Sequence, residues 1–136
     1  MGKLWFFLIS LFTSLVFFNQ SANAVVFGSY VDDPASESPW VVSIWLSANQ
    51  NSSPKFICSG TLISPQIVIS AAHCFQGLKG SDFYVESGAA VLGKGKFTPV
   101  DAYWVSPRYS SRAIINDVAV AHLLLPIKLS SYPTLD

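Results

Sequence analysis

Charge is scarce in this sequence. Of its 136 residues 12% are charged, eight basic and eight acidic, for a formal net charge of zero. No stretch gathers the basic residues into a stripe, so the electrostatic footprint of a nucleic-acid-binding protein is missing. Histidine and cysteine are scarcer still, two of each: His73, His122, Cys58 and Cys74. Their spacing lacks the close ligand pairs of a structural zinc site, so no metal is expected. There is no sustained 3.6-residue apolar period, no internal repeat and no low-complexity tract, which argues against helical and solenoid architectures. One long apolar run occurs, Leu4 to Phe18, broken by Ser10, Thr13 and Ser14. It falls short of the about 20 residues that a membrane span needs.

Lys3 precedes that run and Ala22-Asn23-Ala24 follows it, with small residues at the two positions a signal peptidase reads. Residues 1–24 are therefore expected to be a cleaved secretory signal peptide rather than an anchor. Maturation would expose Val25. The protein would be secreted, extracellular or periplasmic, with no stable membrane anchor. Losing Lys3 leaves seven basic against eight acidic residues, still near neutrality. In an oxidising compartment Cys58 and Cys74 are expected to pair, two free thiols being the alternative. The pair would close a loop of 15 residues, worth about 3 kcal/mol.

Short β-rich segments separated by turns fill the rest. Val41–Leu46, Phe56–Ile63, Ile67–Ser70, Phe83–Glu86, Phe97–Val105 and Val118–Leu123 read as six strands, enriched in β-branched and aromatic residues. Pro99 argues for an edge or a bulge near the start of the fifth. Trp40, Trp45 and Trp104 are expected in the core, since aromatics dominate β interiors. Six short strands point to an all-β barrel or sandwich. The expected organisation is a signal peptide at 1–24, one β domain at 25–125 and a linker-like stretch at 126–136.

The chemistry gathers at Ala71-Ala72-His73-Cys74, just after the apolar run Ile67-Val68-Ile69. An imidazole fixed at a strand end is placed as a general base must be, because a loose ring rarely lines up with the proton it takes. Asp117 follows in Ile115-Asn116-Asp117-Val118-Ala119-Val120. A carboxylate there can hold a ring tautomer and stabilise an imidazolium; taken alone, such an aspartate is more often a turn residue capping the strand.

Together these segments resemble the amino-terminal half of a chymotrypsin/trypsin-family serine protease. Val25-Val26-Phe27-Gly28 is similar to the family's mature amino terminus, and Ser38-Pro39-Trp40-Val41-Val42-Ser43-Ile44 to its first core strand. Cys58-Ser59-Gly60-Thr61-Leu62-Ile63 and Val68-Ile69-Ser70-Ala71-Ala72-His73-Cys74 are similar to the strand before the histidine and the histidine motif. Val105-Ser106-Pro107-Arg108-Tyr109 followed by Asn116-Asp117-Val118-Ala119 is similar to the aspartate region. The resemblance covers residues 25–130. It implies one six-stranded antiparallel barrel of the two-barrel trypsin-like fold, with the second barrel absent. It implies His73 as general base and then acid, Asp117 as its orienter, and a Cys58–Cys74 disulfide framing the histidine loop. It also implies serine endopeptidase chemistry on polypeptide substrates, with no cofactor.

In that triad a serine is expected on the order of ninety residues beyond the aspartate. Here Ser130 and Ser131 are the only serines after Asp117, and neither stands in a Gly-Asp-Ser-Gly-Gly setting. The base and orienter are present without nucleophile, oxyanion donors or specificity pocket. The expected reading is a fragment or truncated endopeptidase, inactive alone. The alternative is a secreted non-catalytic binding module of protease ancestry. In the family a freshly cut aliphatic amino terminus inserts and forms an ion pair beside the nucleophile; Phe27 stands where the family generally has the glycine that permits the sharp path of that segment, a departure from the pattern. His122 is assigned no role, Asp82 and Glu86 are too few for a calcium loop, and Gly93-Lys94-Gly95-Lys96 reads as a solvated turn. Asn51-Ser52-Ser53 fits a glycosylation acceptor.

Overall fold

Alternating apolar residues build the barrel wall. The computed structural model describes residues 33–47 and 53–135. The expected signal peptide, Val25 and the Asn51 acceptor lie outside the described residues. After a one-turn helix, Pro34–Glu37, come β1 (Val41–Leu46), β2 (Lys55–Ser64), β3 (Ile67–Ser70), β4 (Phe83–Ser87), β5 (Lys96–Val105) and β6 (Ala119–Leu123). In β6 the inward set is Ala119, Ala121 and Leu123; in β1 it is Val42 and Ile44. That period of two is what a pleated strand with one buried face requires. All pairings are antiparallel, and the strands close in the order β1-β2-β3-β6-β5-β4, with β1 pairing β4. The six-stranded barrel expected from the sequence is thus realised. Leu62, Val68, Phe83, Val85 and Val100 join the core from the other strands.

Closure changes how Pro99 is read. A closed barrel has no edge strand, and Pro99 lies in register opposite Tyr84. The irregularity comes just after it, where the β5–β6 register shifts between Val100 and Ala102. One extra residue reverses which side chains face inward. Thr98 and Val100 point to the interior before the shift, whereas Tyr103 and Val105 pack on the core after it. Trp104 is thereby turned outward and is 59% exposed, so it is not a core residue as expected. Trp40 does pack against the core. Trp45 instead joins a cluster outside it, its ring edge-on to Phe97 at 5.3 Å and Phe56 at 5.9 Å.

Trp45 also donates its indole N–H to Glu86 Oε2 at 2.9 Å, and Gly95 donates its backbone N–H to Glu86 Oε1 at 2.6 Å. Two donors make it tolerable to bury this carboxylate, which is 4% exposed. Residues after β6 run over the barrel without forming a strand. Ile127 donates its N–H to the Pro65 carbonyl at 2.8 Å, and Ile127, Leu129 and Tyr132 pack against the core.

Gly60 in β2 marks a tight contact. A Cβ there would lie 2.7 Å from Val68 Cγ1 and 3.1 Å from the Ile69 carbonyl oxygen. Val68 is fully buried and has nowhere to retreat. Gly60→Ala is expected to destabilise the chain by about 1–3 kcal/mol through overpacking. Urea unfolding measures it, and an unchanged midpoint would contradict the packing described.

Candidate active site

The β3–β6 register decides where the site falls. β3 ends at Ser70, β6 begins at Ala119, and these two residues are partners. The chain leaving β3 and the chain entering β6 therefore run side by side at one rim. Ser70 Oγ donates to the Ser59 carbonyl at 2.7 Å, tying that rim to β2. A 3-10 turn follows, Ala72–Cys74, with Ala72 and Cys74 buried. These small neighbours anchor the turn while the imidazole of His73 stands out, 57% exposed.

Asp117 is aimed by its own turn. Asn116 adopts a left-handed backbone, φ 53°, a conformation asparagine tolerates better than most residues. Its Nδ2 donates to the Arg108 carbonyl at 2.9 Å, and Val118 donates its N–H back to the Asn116 carbonyl at 2.9 Å. The carboxylate then meets His73 twice. The His73 backbone N–H donates to Oδ1 at 2.9 Å, and Nδ1 lies 2.8 Å from Oδ2. A carboxylate only accepts, so Nδ1 carries the proton and Nε2 keeps its lone pair while the ring is neutral. Among the described residues no hydroxyl bonds to Nε2, whose polar neighbour is Cys58 Sγ at 4.0 Å.

The hydrogen bond from the His73 ring holds the Asp117 carboxyl below its ordinary value of 3.8, against an opposing push from desolvation. The His73 backbone N–H and the ring's charge add to the lowering. A depressed folded value means the contribution to stability is present above the unfolded value and is lost as pH falls through the folded one. The melting-temperature gap between wild type and Asp117→Asn should therefore be largest near neutrality and close in strong acid. A gap independent of pH from neutrality to about pH 2 would contradict this.

Cys58 and Cys74 are joined in a disulfide, Cα–Cα 6.3 Å. It links β2 to the histidine turn from behind. Of the residues expected at the site, His73, Asp117, Cys58 and Cys74 are thus brought to one rim, Val25 lying outside the described residues. What the sequence reading missed is the second bond to Asp117, from a backbone amide that no side-chain motif can reveal. His122 was given no role, yet its Nδ1 lies 3.3 Å from Asp101 Oδ2. Its partners across the sheet are Ile67 and Ala102, so it sits three residues along β6 from the rim. Glu86 was weighed only as a calcium ligand and proves instead to be the buried acceptor for Trp45 and Gly95.

The trypsin family model matches residues 27–133. A trypsin from Sarcophaga bullata is 30% identical over 102 residues, covering 74% of this chain and 38% of the relative. A trypsin from Saccharopolyspora erythraea is 40% identical over 73 residues, covering 52% of this chain and 32% of the relative. Among solved structures, the crystal structure of the scabies mite inactivated protease paralogue S-D1 is similar. Its TM-score is 0.59 at 28% identity, covering 69% of this chain and 37% of that one. The chain thus spans about a third of the length of these relatives.

Proposed function

Because the chain belongs to the trypsin family, we propose that it is the histidine- and aspartate-bearing barrel of a secreted serine endopeptidase, with residues 1–24 as its signal peptide. The observation that carries this reading is the 2.8 Å contact of His73 Nδ1 with Asp117 Oδ2. In the completed enzyme Nε2 takes the proton of a serine hydroxyl as it attacks the scissile carbonyl, then returns it to the leaving amine. Asp117 holds the tautomer and offsets the charge of the imidazolium. The serine, the oxyanion donors and the pocket that selects the substrate side chain come from a second barrel outside these 136 residues. Val118, Leu124 and Leu125, at the two ends of β6, are at least 50% exposed, apolar surface of the kind a second barrel would cover.

A fluorophosphonate probe, which reports an activated serine, tests the reading. The 136-residue chain should not label. The protein extended through a downstream Gly-Asp-Ser-Gly-Gly motif should label and cleave peptides, and His73→Ala should abolish both. Failure of the extended, folded protein to label would overturn it. The similarity to a protease paralogue described as inactivated favours a second reading, a non-catalytic binding module. That module predicts a folded, monomeric secreted chain with no labelling in any extended form.

A further inference from the structure

We propose that reduction of the Cys58–Cys74 disulfide converts the histidine rim into a zinc site whose ligands are Cys58, Cys74 and His73. The two sulfurs and a His73 ring nitrogen already lie within 4.8 Å of one another. In the oxidised chain the sulfurs are bonded to each other and offer no thiolate. Once parted, they are two anionic ligands beside an imidazole whose Nε2 lies 4.0 Å from Cys58 Sγ. Tetrahedral zinc, with bonds of about 2.3 Å to sulfur and about 2.0 Å to nitrogen, wants ligand atoms roughly 3.5 Å apart. Nε2 and Cys58 Sγ must therefore close by about half an ångström, and the sulfurs must separate by side-chain rotation.

Two further features suit a metal. A ligating histidine almost always gives its other ring N–H to a carboxylate or carbonyl, which fixes the ring and raises its basicity. Asp117 already does this at Nδ1, 2.8 Å away. Cys74 is 7% exposed whereas the imidazole is 57% exposed. The metal would thus be held from the protein side, with its fourth position open to water.

The chemistry balances with a dithiol reductant, or with a phosphine, which takes its oxygen from water to become the phosphine oxide while the water's two protons go to the thiols. A dithiol supplies two electrons and two protons, cleaves the Cys58–Cys74 bond and closes its own disulfide. Binding of one zinc ion then releases two protons as the thiols become thiolates. The proposal does not depend on the peptidase reading. If that reading holds, zinc on Nε2 occupies the lone pair the base needs, and the reduced, loaded form is inactive.

The test is to reduce the full chain with a phosphine, remove the reductant without air, and titrate with Co2+, then Zn2+. The reduced chain should take up one Co2+ with a thiolate charge-transfer band in the near ultraviolet and tetrahedral bands in the visible, both erased by Zn2+. The oxidised chain should show neither. Asp117→Asn should weaken binding by about 10- to 100-fold, and His73→Ala should alter the visible bands as nitrogen leaves the ligand set. If the reduced chain unfolds, one equivalent of Zn2+ should restore its circular dichroism. A reduced chain that binds no cobalt, that stays unfolded with zinc, or whose His73→Ala and Asp117→Asn variants bind as wild type does would overturn the proposal.

Discussion

Asparagine in place of Asp117 should lower kcat of the completed peptidase by on the order of 10^4-fold with little change in KM. The loss follows from the two bonds at the carboxylate. Oδ1 accepts from the His73 backbone N–H at 2.9 Å, and an asparagine carbonyl can keep that contact. The amide nitrogen must then face Nδ1 in place of Oδ2. An amide N–H only donates, so Nδ1 must become an acceptor, and the ring proton moves to Nε2. That is the atom that must accept the serine proton, and once protonated it has no lone pair to do so. The barrel stays folded, since the backbone bond survives. Kinetics on the extended protein, with circular dichroism as the control for folding, decide it. A loss under tenfold would mean that Asp117 serves the turn alone.

How much of this was legible in the sequence depended on the range of the interaction. The six strands were legible because each signals locally, through β-branched and aromatic residues between turn residues. β1 and β3 fall where the pattern places them, Val41–Leu46 and Ile67–Ser70. The site was legible because His73 and Asp117 each sit against a strand end, and antiparallel pairing of Ser70 with Ala119 does the rest. Trp104 was misread because its direction depends on a register shift between β5 and β6, which no periodicity along a single strand reveals. The role of Glu86 was not legible for a related reason. Its donors, Trp45 and Gly95, come from β1 and from the turn before β5, and only the closed sheet assembles them. Asp101 and His122 likewise meet only through the β5–β6 pairing.

A three-residue turn, tied to β2 by the Cys58–Cys74 disulfide, and a two-residue approach to β6 hold the site, and the packing beneath supports both. Phe75, directly after the turn, supplies much of that packing. It is fully buried, and its ring lies 4.8 Å from Phe83 and 5.1 Å from Tyr103, which also meet each other at 5.7 Å. Phe75→Ala removes the member of this cluster closest to the histidine in the chain. Lost transfer energy plus the cavity should cost about 3–5 kcal/mol, a large fraction of the roughly 5–15 kcal/mol stability of a typical domain. Urea unfolding of the full chain should show a lower midpoint at an unchanged slope. Tyr103→Phe is the control. It keeps all three rings and loses only the hydroxyl's bond to the Leu78 carbonyl, for about 1 kcal/mol. If the two substitutions cost the same, the rings beneath the histidine turn are not what holds His73 against Asp117.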